Sequence, residues 1–270
     1  MRIWLAAATA VLVACAPAPV ALASGHHHRP AALASGTSHG WMQNGWTVHK
    51  LNQSYPATAS YFFNRAGSYE TGTVYDGFAA TPVTRYTSEA QFASDVANGL
   101  IPAGVMASYD NENWNLTPQA EIDDPWTYMA DFISLAHSNG DQVTVTPARD
   151  LGNDSTSVHP KLAGETLDQW YQRTDIAGTA GLADIYVVQD QVDTASVTAY
   201  DALFNAAQTR AVAVNPGVKV YTELSDNYGT AAQEYTAGSS VAFDGVFLNF
   251  ANSDVSSEDT LLTSFENGGY

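Results

Sequence analysis

From residue 60 onward, short runs of β-branched and aromatic residues are followed by longer segments with helical spacing. The runs are Tyr61-Phe62-Phe63, Gly104 to Tyr109, Gln142 to Thr146, Ile185 to Val188, Val218 to Tyr221 and Val246 to Leu248. Ile185-Tyr186-Val187-Val188 is apolar without alternation, the pattern of a strand buried on both faces. Between the runs, apolar residues recur at steps of three and four. Val197, Tyr200, Phe204, Ala207 and Ala211 form one stripe, and Trp126, Met129, Ile133 and Ala136 form another.

Start and stop signals fall where these helices need them. Asp124 followed by Pro125 reads as an N-cap with proline in the first turn. Capping-box pairs occur at Ser88/Gln91, Thr166/Gln169 and Thr230/Gln233, with a looser version at Ser256/Asp259. Asn139-Gly140 and Asn215-Pro216-Gly217 each stop a helix just before a strand.

Six strand–helix units in succession predict an α/β fold with a parallel sheet and right-handed crossovers. Length agrees, because 270 residues suit a single large β/α domain. A closed (β/α) TIM-type barrel is the first expectation. An incomplete barrel and an open doubly wound sheet are the alternatives. Closure needs two further strands, for which residues 45–52 and 72–78 are the candidates. No glycine-rich phosphate loop follows any strand, which argues against a nucleotide-binding open sheet.

Composition narrows the function classes. Hydrophobic residues at 45% supply a full core and exclude global disorder. Ten Lys+Arg against 28 Asp+Glu give a formal charge of −18. Such a field repels polyanions, so nucleic acid and anionic membrane surfaces are not expected partners.

The N-terminus reads as an export signal. Arg2 precedes an apolar stretch from Ile3 to Ala16, Pro17 and Pro19 break it, and Ala21-Leu22-Ala23 is a small-x-small cleavage site before Ser24. Residues 1–23 are thus expected to be a signal peptide, and the product to be secreted. Leu12-Val13-Ala14-Cys15 also fits a lipobox, and lipidation of Cys15 would make a cell-surface lipoprotein. The apolar stretch is too short for a comfortable membrane span, and no later segment approaches that length. Residues 24–40 form a Ser/Gly/Ala/His-rich leader, leaving 41–270 as the β/α domain. His26, His27 and His28 are a weak metal signal. His49, His137 and His159 are scattered without metal-ligand spacing. No cofactor or metal is expected.

In parallel β/α folds the chemistry gathers where strands end. Here those ends carry Asn64-Arg65, Asp110 to Trp114, Arg149-Asp150, Gln189-Asp190-Gln191, Glu223 and Asn249. Asp110 and Glu112 are two apart and share a face of an extended backbone. Close carboxylates raise one another's pKa and leave a proton donor near neutral pH. Trp114 offers a flat apolar face for a sugar ring, and Tyr109 sits beside it. Glu223 is the candidate second carboxyl, with helix capping or pairing to Lys219 as its structural alternative. Arg149 and Asp150 read either as an ion pair or as a ligand clamp. Arg65 would pair with a carboxylate at the mouth. Gln189, Gln191 and Asn249 supply the donors and acceptors that hydroxyl-rich ligands need. There is no Gly-x-Ser-x-Gly elbow, which argues against that class of serine hydrolase.

The stretches Tyr109-Asp110-Asn111-Glu112-Asn113-Trp114, Thr146-Pro147-Ala148-Arg149-Asp150-Leu151, Val188-Gln189-Asp190-Gln191 and Phe243-Asp244-Gly245-Val246-Phe247-Leu248-Asn249 resemble a group of secreted actinobacterial proteins. The resemblance covers roughly residues 60–255 and implies a glycoside-hydrolase-like TIM-type barrel. Asp110-x-Glu112 is also distantly similar to chitinase-like barrels. Ser108 stands where their motif has a further acid, so substrate-assisted catalysis of that type is not implied. The expectation is a secreted hydrolase-like barrel acting on a polysaccharide, with Glu112 as general acid and Asp110 or Glu223 as the second carboxyl. The alternative is a non-catalytic carbohydrate-binding or cell-surface barrel using Trp114, Tyr109 and the amides.

Overall fold

Strand and helix alternate along the chain as the pattern of apolar positions requires. The computed structural model describes residues 40–44, 60–64, 81–101, 103–225, 227–250 and 255–268. Its strands are β1 (Gly40–Asn44), β2 (Ser60–Asn64), β3 (Thr81–Tyr86), β4 (Met106–Tyr109), β5 (Gln142–Val145), β6 (Ile185–Val188), β7 (Lys219–Leu224) and β8 (Gly245–Leu248). The helices are α1 (Glu89–Ala97), α2 (Gln119–Asp123), α3 (Pro125–Asn139), α4 (Leu167–Arg173), α5 (Ile176–Ala180), α6 (Val197–Val214), α7 (Ala231–Gly238) and α8 (Val255–Gly268), with short 3-10 turns at Arg149–Asn153 and Gln191–Asp193. The fold is α/β, and the described residues form one compact unit. Neighbouring strands pair in parallel and in chain order from β1 to β8, and β8 pairs back onto β1 through Gly40↔Gly245 and the residues after it.

The six predicted strands are all present, as β2 and β4 to β8. The other two differ from expectation. Residues 45–52 and 72–78 lie outside the described residues, and the additional strands are β1, just before the first candidate, and β3, just after the second. β3 opens with Thr81-Pro82. Proline supplies no ladder N–H, so it belongs at the start of a strand, and Val83-Thr84-Arg85-Tyr86 then carries the β-forming side chains.

The strands from β4 to β8 are buried on both faces apart from their opening residues Gln142 and Lys219. Outward residues such as Tyr109, Val145, Tyr186 and Leu248 meet the helices in the larger core. Inward residues Met42, Val83, Met106, Ile185, Val187, Tyr221 and Phe247 fill the space inside the sheet. The α3 stripe packs as its spacing dictates, with Met129, Phe132, Ile133 and Ala136 buried. Phe132 stacks on Phe92 at 4.2 Å and on Tyr109 at 4.9 Å. Each such large apolar side chain contributes about 1.5–3 kcal/mol by leaving water.

The predicted caps hold the helices. Thr166/Gln169 and Thr230/Gln233 are complete capping boxes. Ser88 accepts from the Gln91 amide, and Asp124 accepts from Thr127 ahead of Pro125. Gly140 ends α3 in the left-handed conformation, φ 83°. The Ser256/Asp259 pair is different. Its helix already begins at Val255, so Ser256 lies inside the first turn and not at the cap.

A repeated device closes the end of the sheet where the strands begin. Asp141, Asp184 and Asp244 each immediately precede a strand. Each carboxylate accepts a backbone N–H from the start of the preceding strand segment: Asp141 from Gly104 at 2.9 Å, Asp184 from Val143 at 2.7 Å, Asp244 from Val220 at 2.9 Å. Part of the acidic composition is therefore structural. Among the described residues no helix is long and apolar enough to cross a membrane.

Candidate functional site

Side chains alternate in and out along each strand, and the inward set continues past the strand ends. On β4 it runs Met106, Ser108, Asp110, Glu112. The companions are Arg85 on β3, Thr146 after β5, Gln189 after β6, Glu223 on β7 and Asn249 after β8. The ladder extends with them. The amides of Asp110, Thr146, Ala148 and Asn249 donate to Tyr86, Tyr109, Asn111 and Leu224 at 2.8–2.9 Å. Backbone that would otherwise be loop is held by neighbouring strands, so the polar side chains converge on one cavity of about 400 Å³.

This cavity gathers Asp110, Glu112, Trp114, Arg149, Asp150, Gln189, Gln191, Glu223 and Asn249, nine of the predicted site residues. Arg65 lies outside the described residues. Tyr109 is a correction. Residue 109 has the parity that points outward, so its ring is fully buried against Phe132. Its hydroxyl donates to Glu121 at 2.7 Å. Glu121 also accepts from Ser88 at 2.9 Å and the Glu89 amide at 2.8 Å, tying α2 to the start of α1. Tyr109 is scaffold and cannot meet a ligand in the cavity.

Two walls of the cavity differ in their electrostatics. On the β4 wall, the Arg85 guanidinium forms an ion pair with Asp110 and lies 5.2 Å from the centroid of the Trp114 ring. Asp110 also accepts from Thr146 at 2.8 Å and Gln189 at 3.3 Å. Beside it, the Glu112 carboxyl is pushed up to about 8. Burial is the main cause, followed by the charges of Asp110 and Asp150, and Arg85 pulls the other way. Trp114 donates its indole N–H to Thr117 at 2.8 Å, which sets the ring's orientation.

On the β7 wall, Glu223 is 1% exposed. Its Oε1 accepts from Asn249 at 2.8 Å and Gln191 at 3.1 Å. Glu223 neither caps a helix nor pairs with Lys219, which sits 3.7 Å from Asp244. Burial first, then the charges of Asp110, Glu112 and Asp190, holds Glu223 well above the ordinary carboxylate range. Behind it Asp190, fully buried and likewise raised by burial, accepts from Thr222 at 3.1 Å.

The remaining predictions resolve into separate roles. Arg149 does not pair with Asp150. Its guanidinium bridges Asp168 and Asp193, tying together the loops after β5 and β6. Asp150 accepts from the Asn113 amide at 3.1 Å, and burial raises its pKa. Gln189 and Gln191 are two apart, as residues sharing a strand face would be, but β6 ends at Val188 and Gln191 opens a 3-10 turn. They consequently serve opposite walls, Gln189 that of Asp110 and Gln191 that of Glu223. His137 ends α3 beside Asp184, 3.1 Å away, as a last-turn histidine should.

Arg85 and Tyr228 are among the cavity residues that were not foreseen. Arg85 was missed with its strand, although the β-forming run between Pro82 and the Ser88 cap marks it. Tyr228, half exposed on the loop after β7, gives the cavity a further aromatic beside Trp114 and Phe247. Among the described residues, no group of three or more His, Cys, Asp or Glu is arranged to hold a metal ion. No protein-family model matches the chain, and no curated protein matches it in sequence.

Proposed function

We propose that this chain is a secreted glycoside-hydrolase-like enzyme with a TIM-type (β/α) barrel that cleaves an extracellular polysaccharide by carboxylate acid/base chemistry. One observation carries the reading. Asp110, Glu112 and Glu223 line a single cavity at the strand ends together with Trp114, and the environment of Glu112 holds its proton near neutral pH.

Glu112 is the general acid. It donates its proton to the glycosidic oxygen as the C–O bond breaks, and water adds to the anomeric carbon and gives its proton to an ionised carboxyl of the pair. Asp110 positions Glu112. The Asp110 charge disfavours ionisation of Glu112, and the two side chains share a hydrogen bond that only a protonated partner can donate. Arg85, Thr146 and Gln189 fix Asp110 in turn. Glu223 is the second carboxyl, on the opposite wall. Trp114 and Tyr228 supply apolar faces for sugar rings, and the amides of Gln189, Gln191 and Asn249 face its hydroxyls. Export rests on residues 1–23, with lipidation at Cys15 as the competing fate. The mass of the exported protein separates cleavage before Ser24 from a lipidated Cys15.

The test is sugar release from a panel of polysaccharides by purified protein and by Glu112→Gln. Turnover lost with binding retained supports the assignment, and unchanged turnover removes Glu112 from the mechanism. Binding without release from any polymer by the unaltered protein supports the non-catalytic carbohydrate-binding alternative instead.

A further inference from the structure

We propose that the cavity recognises a cationic sugar, an oligosaccharide of amino sugars with free amines, whose ammonium group sits against Glu223 and Gln191. The inference rests on the hydrolase reading for its substrate but not for its binding.

Hydrogen-bond inventory is the first argument. Glu223 Oε2 and Gln191 Oε1 are buried and have no hydrogen-bond partner, and both residues line the cavity. Glu223 is 1% exposed and Gln191 9%. Both orphaned atoms are acceptors, and the two side chains touch through the 3.1 Å bond from Gln191 to Glu223 Oε1. An ammonium carries three donors and no acceptor, which is the complement of such a pair. An acetylated amine offers one donor and brings an acceptor oxygen that would meet the same acceptors.

Charge is the second argument. Four carboxyl side chains line the cavity, Asp110, Glu112, Asp150 and Glu223, against two guanidinium groups, Arg85 and Arg149. Arg85 is paired with Asp110, and Arg149 with Asp168 and Asp193. Among the described residues the Glu223 wall offers amides and no cation paired with Glu223, so a positive ligand gains there what a neutral one does not. Burial and the neighbouring Asp110, Glu112 and Asp190 make Glu223 hold its proton without such a ligand. An approaching ammonium stabilises the carboxylate and releases that proton, which readies the second carboxyl for chemistry only when this substrate is bound. A divalent metal ion is the other cation to consider, but the carboxyls are not arranged as a ligand set.

The experiment is calorimetric titration of the full chain at pH 6 with glucosamine and galactosamine oligomers and with their N-acetylated counterparts, in two buffers of different ionisation enthalpy. The expected result is about tenfold tighter binding of the free-amine member. That preference should shrink several-fold between 50 and 500 mM salt, with proton release on binding. Glu223→Gln should cut the preference below threefold, and Gln191→Leu should lower it through the other acceptor. Equal or tighter binding of the acetylated member, no binding of either, or a preference that survives both substitutions overturns the proposal. Cleavage of neutral polymers without amine preference would sink this inference and leave the hydrolase reading standing. Tight free-amine binding with no sugar release from any polymer would do the reverse.

Discussion

The two walls of the cavity are built from the same kind of side chain and behave differently. At the end of β4, Asp110 and Glu112 have a guanidinium beside them, and Glu112 is raised only to about 8. At the end of β7, Glu223 has two amides and, among the described residues, no cation paired with it, and burial holds it well above the ordinary carboxylate range. Burial is the leading cause in both places. On the β4 wall the Arg85 guanidinium opposes burial, and on the β7 wall the Asn249 hydrogen bond does. One wall is therefore poised to give up a proton near neutral pH, and the other holds its proton until a positive group comes close.

The largest expected effect tests the β4 wall directly. Glu112→Gln should lower sugar release by about 10²–10⁴-fold, with oligosaccharide affinity changed less than threefold by calorimetry. In the unaltered protein, activity should fall as pH rises through about 8, because Glu112 then loses the proton it must donate. A pH–rate profile that stays flat to pH 9 would contradict this.

Next comes the counter-charge. Arg85→Met leaves Asp110 without its ion pair and uncovers one side of Trp114. The Arg85 side chain is 32% exposed and Asp110 9%, so the loss should be about 1–2 kcal/mol, a fall in Tm of roughly 2–8 °C by calorimetry.

The β7 wall should respond with the opposite sign. A carboxyl raised on folding stabilises the fold below its ordinary range, and that contribution is lost as pH rises through its folded-state value. Glu223→Gln removes the titration, so its Tm should exceed that of the unaltered protein by roughly 2–4 °C at pH 9 and match it near pH 5. A lower Tm at pH 9 would break the contrast between the walls.

The smallest effect concerns a residue that belongs to neither wall. Tyr109→Phe should leave oligosaccharide affinity unchanged within twofold. It should cost about 1–2 kcal/mol of stability, because Glu121 loses a buried donor.

Much of the fold was legible in the chain because local signals repeat. Ile185–Val188 reads as a doubly buried strand, and the α3 and α6 stripes read as helices. The boxes at Thr166 and Thr230 mark starts, since a hydroxyl three residues before a glutamine satisfies two orphan amides whatever surrounds it. β3 was missed although Val83 to Tyr86 carries β-forming side chains, because Thr81-Pro82 looks like a turn until a neighbouring strand pairs with it. The same holds for Asp141, Asp184 and Asp244, whose carboxylates clasp the backbone at the start of the preceding strand.

For the site, the chain by itself determined which side chains stand at the strand ends, and strand parity placed Asp110 and Glu112 on one face. That is a property of extended backbone and needs no partner. Tertiary structure decided everything that depends on distance through space. It turned Arg149 away from Asp150, divided Gln189 and Gln191 between opposite walls and set Arg85 beside Asp110. It also buried Glu223 among other carboxyls. Neither that burial nor the field of those charges has any signature in linear sequence, because both arise from residues far apart along the chain.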